Sequence, residues 1–177
     1  MTNETQDDIL ACPLPGAARP DLARYQDEAT IRDILRFMRT IAIVGLSSNP
    51  LRASNFVGFY LQRHGYHIVP VNPAEREILG ETCYPSLAAI PFPVDVVDVF
   101  RRPDALPAIA EEAARIGAKA LWMQFGVISP QDADIAQRGG LKVVMDRCLK
   151  VEHARHLGQM RVLGFNTGVI TSRRDSA

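Results

Sequence analysis

Residues 41–54 read IAIVGLSSNPLRAS: four apolar residues, a glycine, then a polar loop that runs into a helix-like stretch. A strand that ends in glycine and hands over to a helix is where α/β proteins commonly hold phosphate, because the first helical N–H groups lack partners and carry partial positive charge. The dinucleotide version of this turn uses three glycines, G-x-G-x-x-G. Here Gly45 stands alone, with Ser47 and Pro50 in the other two places, so the backbone is denied the close approach that those glycines permit. Ser47, Ser48 and Arg52 offer two hydroxyls and a cation instead, which suits a phosphate or diphosphate gripped by side chains. The competing reading is a plain connection in which Gly45 turns the chain and Ser54 caps the next helix.

Downstream the pattern alternates. Strand-like runs are expected at 41–45, 67–71 (HIVPV), 94–100 (VDVVDVF), 119–124 (KALWMQ) and 141–146 (LKVVMD), mostly apolar as strands covered on both faces are. Val57, Tyr60, Leu61 and His64 share a helical face before Gly65. Pro103 opens a helix carrying Leu106, Ile109, Ala110 and Ala113 that stops before Gly117, and Pro130 opens another that stops near Gly139 and Gly140. Thr30-x-x-Asp33 has the spacing of a capping box, ahead of a short helix with Ile31, Ile34, Leu35 and Met38 on one side. Strands joined by helices imply right-handed crossovers and a parallel sheet. The expected fold is therefore α/β, a Rossmann-like three-layer sandwich on a five-stranded parallel sheet. Residues 72–93 are too broken for a further strand and helix, offering a turn and a short helix at 86–90, which favours strand order 2-1-3-4-5. The expected division is an N-terminal arm at 1–29, one domain at 30–158 and a C-terminal tail at 159–177.

Composition narrows the function. The chain has 177 residues, 47% of them hydrophobic and 23% charged, the profile of a globular protein with a core of its own. Twenty basic residues balance twenty acidic ones, so no global field favours nucleic acid or an anionic membrane. No apolar run approaches the roughly 20 residues that a membrane helix needs. The start, MTNETQDDIL, is polar and acidic where a secretory signal is basic and then apolar, giving the expectation of a cytoplasmic protein. Cys12, Cys83 and Cys148 are odd in number and widely spaced, which fits reduced thiols better than disulfides or a zinc site.

In such a sheet the ligand lies beyond the carboxyl ends of the strands, near the point where strand order reverses. An NAD site needs an acid after the second strand to bond the ribose hydroxyls; this chain has Asn72-Pro73, which also makes an ordinary turn. Arg101 and Arg102 stand just before a helix start, where cations oppose the helix dipole unless an anion joins them. That anion is either a ligand or the protein's own Asp98 or Asp104.

Taken together, IAIVGLSSNPLRAS, GYHIVPVNP, VDVVDVFRRP, LWMQFGV and VVMDRCLKVEH resemble the small stand-alone CoA-binding proteins of bacteria, whose domain is similar to the N-terminal CoA-binding domain of the succinyl-CoA synthetase alpha subunit. The likeness runs from about Ile31 to Leu157. It implies coenzyme A or an acyl-CoA lying across the strand ends. By position it implies that Ser47, Ser48, Asn49 and Pro50, with Gly45, Arg52 and Ser54, meet the phosphates, and that Asn72 and Pro73 lie beside the adenosine. Val99, Phe100 and Arg101 line the end of the third strand, and Met123, Gln124 and Gly126 face the pantetheine. A ribose 3′-phosphate and a diphosphate agree with clustered arginines and a missing acid. The chain departs from the synthetase in its loop glycines, in having Glu75 or Arg76 where the synthetase has a lysine, and in having no counterpart of the phosphohistidine domain.

No catalytic set is evident. Glu152, His153 and His156 read as a polar helix face, His64 and His67 as structural, and Cys148 as a buried thiol. The expectation is a non-catalytic module for a small-molecule CoA ligand, with a homo-oligomer or protein partner left open and no metal. The rival readings are an NAD(P)-dependent oxidoreductase and a subunit of a split acyl-CoA ligase.

Overall fold

The computed structural model describes residues 21–158; the expectations for 1–20 and 159–177 lie outside the described residues. Five strands, β1 (Thr40–Val44), β2 (His67–Val71), β5 (Val96–Val99), β6 (Ala120–Met123) and β7 (Lys142–Val144), form one sheet in the order β2-β1-β5-β6-β7. Every pairing in it is parallel. With the antiparallel pair β3 (Glu77–Ile78) and β4 (Glu81–Thr82) set aside, this is the expected order 2-1-3-4-5.

The helices divide between two faces because alternate strand residues do. Ala42, Val44, Val97, Val99, Leu121 and Met123 point to one side, where they pack with Leu106, Ile109 and Ala113 of α3 (Leu106–Arg115) and with Ala133 and Ala136 of α4 (Pro130–Arg138). Ile41, Ile43, Ile68, Val96 and Trp122 point to the other. There they meet Ile31, Ile34 and Leu35 of α1 (Glu28–Phe37), Val57 and Leu61 of α2 (Ala53–Arg63), and Leu149 of α5 (Leu149–His156). The helix leaving β1 therefore covers one face and the helix leaving β5 the other. Between these neighbouring strands the chain parts, and the crevice opens at their carboxyl ends.

Two local expectations are corrected. The cap of α1 is Asp27 rather than Thr30: its carboxylate accepts from the Thr30 N–H at 2.8 Å and the Thr30 hydroxyl at 2.9 Å, while Asp33 pairs with Lys142 at 3.1 Å. Pro103 opens a single 3-10 turn, Pro103–Ala105, and α3 begins at Leu106. Residues ahead of α1 also pack against the sheet edge. Tyr25, 1% exposed, closes a 3-10 turn at Ala23–Tyr25 and donates to the Pro130 carbonyl at 3.2 Å. The Tyr25 carbonyl accepts from the Met145 N–H and the Gln26 amide donates to the Met145 carbonyl, so this segment covers the chain just past β7.

Candidate functional site

Gly45 sets the geometry of the crevice. Its φ of +87° is left-handed, and a Cβ on it would stand 2.6 Å from the Phe100 carbonyl oxygen and 2.9 Å from Arg101 Cδ. Only glycine lets the β1 end pass so close to the β5 end. Its N–H still bonds the Val71 carbonyl at 2.9 Å, tying the ends of β1 and β2 together.

The loop that follows is held by its own side chains. Ser54 accepts from the Ser47 N–H at 3.2 Å, Ser47 Oγ from the Asn49 N–H at 3.1 Å, and Asn49 Oδ1 from the Leu51 N–H at 2.9 Å. Asn55 donates to the Ser47 carbonyl at 2.7 Å. Ser54 thus does not cap α2; Arg52 holds the cap position, and Ser54 sits buried inside the first turn, bracing the loop. Ser48, Asn49, Pro50 and Arg52 are exposed at the tip.

Asn72 is a clasp. Its amide donates to the Leu46 carbonyl at 2.9 Å and its oxygen accepts from the Ala74 N–H at 3.0 Å. An aspartate could not donate to Leu46, so the residue type that an NAD ribose requires would unfasten this loop. Ser48 donates to Glu75 at 2.6 Å, a second tie across the same gap.

Between these loops and α3 lies a cleft of about 260 Å³. Gly45, Asn72, Pro73 and Arg101 line it, joined by Pro85, Ser86 and Leu87 on one wall and by Ala105, Ala108, Ile109 and Glu112 on the other. Four of the residues expected at the site are therefore brought together here. The wall residues went unforeseen because small and apolar side chains carry no chemical signature; only the packing of α3 against the 3-10 turn Leu87–Ala89 makes them a wall. Arg101 and Arg52 are exposed and, among the described residues, have no carboxylate within ion-pair distance, whereas Arg102 reaches Asp104 at 3.4 Å.

Elsewhere the expected contacts divide. Val99 and Met123 have fully buried side chains inside the α3–α4 core, so they present no side chain to the crevice. Phe100 is half-buried against the opposite core. Gln124, 3% exposed, donates its amide to both Asp98 oxygens, at 2.8 and 3.0 Å. Asp98 is fully buried and, among the described residues, forms no ion pair with Arg101 or Arg102. Burial pushes its carboxyl up to about 7 against the opposing bonds from Gln124 and the Val99 N–H. Gly126 is exposed, and its N–H donates to Asp146 at 2.9 Å.

Several other titratable groups are built into packing. Glu152 is buried against Arg155 at 2.6 Å. His153 Nδ1 lies 3.1 Å from the Tyr60 hydroxyl, and burial, followed by the nearby His64, holds the imidazole down to about 4. Cys83 and Cys148 are free and buried, and burial raises both thiols above their ordinary range. Among the described residues no group of three or more His, Cys, Asp or Glu is placed to hold a metal ion. No described helix is long and apolar enough to cross a membrane.

Comparison with known proteins agrees with this architecture. Residues 39–154 match the family described as CoA binding domain, and the chain belongs to that family. It is 42% identical over 127 residues to the uncharacterized protein YneT of Bacillus subtilis, covering 72% of this chain and 94% of that one. It is 28% identical over 125 residues to an ADP-forming acetate–CoA ligase of Archaeoglobus fulgidus, covering 65% of this chain but 18% of the ligase. Among solved structures, a hypothetical protein from Pyrococcus horikoshii superposes with a TM-score of 0.74 at 39% identity, covering 80% of this chain and 99% of that one.

Proposed function

We propose that this member of the CoA-binding domain family holds coenzyme A or an acyl-CoA as a binding module without catalysis of its own. The adenosine occupies the cleft between Pro73, Leu87 and α3. The phosphates lie along the Ser47–Arg52 loop and Arg101, and the pantetheine runs past Phe100 towards Gly126. One observation carries this reading: Arg101, at the mouth of the cleft beside Gly45, and Arg52, at the start of α2, are exposed cations with no carboxylate partner among the described residues. Ligand phosphates would supply the missing anions. A cleft of about 260 Å³ is small beside the roughly 300–1,000 Å³ of a typical small-molecule pocket, so it suits one end of an extended ligand.

An oxidoreductase reading draws no support from the site, since Asn72 spends its side chain on the loop and the glycine turn lacks its second and third members. The acetate–CoA ligase of Archaeoglobus fulgidus is a longer protein, of which this chain matches 18%.

Thermal unfolding with CoA, dephospho-CoA and NAD tests the proposal. A ligand at ~100 times its dissociation constant adds about 2.7 kcal/mol to stability, so CoA should raise Tm by several degrees. Arg101→Ala should weaken CoA by ~10-fold or more, as expected for a lost charge-assisted contact. A shift with NAD and none with CoA overturns the reading.

A further inference from the structure

The cleft contains one carboxylate, Glu112, in a lining that is otherwise apolar, small or neutral apart from Arg101. Glu112 projects from the second turn of α3 and is fixed there: its Oε1 accepts from the Ala88 N–H at 3.2 Å, across the gap between α3 and the Leu87–Ala89 turn. The side chain is half-buried, and no cation lies within ion-pair distance of it among the described residues. An ionised carboxylate can only accept hydrogen bonds. Anything that fills the cleft must therefore bring a further donor to Glu112 or cover a charge that has the Ala88 N–H as its hydrogen-bond donor and no cation beside it, which is costly.

The apolar walls, Val44, Val71, Leu87 and Ile109, suit the faces of a flat ring. In a nucleotide the adenine ring offers a single donor, the amine at C6; its ring nitrogens only accept. We propose that Glu112 accepts a hydrogen bond from that exocyclic amine, making α3 the element that selects a 6-aminopurine. The proposal rests on the CoA reading above and adds to it the residue that recognises the base. Arg101 stays at the mouth for the phosphates, while Glu112, a turn and a half further along α3 than Leu106, meets the far edge of the ring.

The test is a double-mutant cycle between protein and ligand, read by titration calorimetry on the full chain. The ligands are CoA and its analogue with hydrogen in place of the 6-amino group. The proteins are the wild type, Glu112→Ala and Glu112→Gln. For the wild type, loss of the amine should weaken binding by ~10-fold or more, the size of a hydrogen bond to a charged group. Glu112→Ala should bind CoA as weakly as the wild type binds the analogue and should not distinguish the two ligands. Glu112→Gln, which keeps an acceptor and the bond to Ala88, should retain part of the preference. Equal binding of both ligands by the wild type overturns the proposal, as does an equal loss for both in Glu112→Ala, which would make Glu112 a brace for Ala88. If Glu112→Ala does not fold, the wild-type and Glu112→Gln titrations decide by the same criterion. Failure of the wild type to bind CoA at all overturns the parent reading, a result distinct from binding without dependence on the amine.

Discussion

Two residues carry more of this molecule than their size suggests. Gly45 joins three strand ends because it has no side chain: alanine there would have to hold φ near +87° and push against the Phe100 carbonyl from 2.6 Å. Gly45→Ala should lose at least ~2 kcal/mol in urea unfolding, since left-handed strain and overpacking each cost about 1–3 kcal/mol, and CoA binding should fall with it. Asp98 lies at the other extreme, a buried acid whose only side-chain hydrogen-bond partner among the described residues is the Gln124 amide. Its carboxyl is raised from 3.8 to about 7, so between these values the folded chain keeps a proton that the unfolded chain has released. The contribution to stability is fully present below about pH 4, declines as pH rises towards 7 and is flat above. The slope should approach, at most, about 1.4 kcal/mol per pH unit. Asp98→Asn, which can still accept from Gln124, should flatten it; denaturant midpoints measured at intervals from pH 5 to 8 would show a persistent slope if another group were responsible.

The loop between β1 and α2 works as one piece with the chain after β2. Asn72 fastens it at Leu46 and Glu75 at Ser48, so two elements distant in sequence present a single rim. Glu75 is the component at odds with a phosphate ligand, because it places a negative charge beside the loop. Glu75→Gln keeps the bond from Ser48 and removes the charge. It should tighten CoA by up to about fivefold at low salt, the scale of an exposed charge interaction of about 0.2–1 kcal/mol, and the gain should shrink as ionic strength rises. An unchanged affinity at low salt would place the phosphates elsewhere. This rim was only half legible in the sequence. The glycine, the hydroxyls and the arginines announced themselves by type, and the five parallel strands by their apolar runs. The pair β3–β4, two residues each, is fixed by bonds that no local pattern foretells. Val99 and Met123 were expected at the ligand, yet strand alternation sets them in register with one another and with the core beneath α3. That parity was present in VVDV (96–99) and ALWM (120–123), and position along the strand obscured it.

At the scale of the whole molecule, the two cores on either side of the sheet explain why site and stability can be separated. The crevice needs only that the helices after β1 and β5 take opposite faces, and this follows from topology. Stability also depends on the far edge of the sheet, where the segment around Tyr25 closes over β7 and α4. That segment fell within the expected N-terminal arm at 1–29 because a single aromatic between polar residues has no period; its value comes from Pro130 and Asp134, more than a hundred residues away. Tyr25→Ala should therefore cost about 3 kcal/mol or more, as truncation of a buried aromatic does. For a chain of this length, that lowers Tm by on the order of 10 °C. Tyr25→Phe should cost only about 1 kcal/mol, the share of its hydroxyl bonds. Both variants should bind CoA with close to the wild-type dissociation constant at 20 °C, because the adenosine cleft lies at the β2-β1-β5 side of the sheet and only the pantetheine end, at Gly126, comes near Asp146 beyond β7. A loss of affinity matching the loss of stability would mean instead that sheet edge and crevice move as one unit, and that the ligand site is shaped by the entire sheet rather than by its switch point.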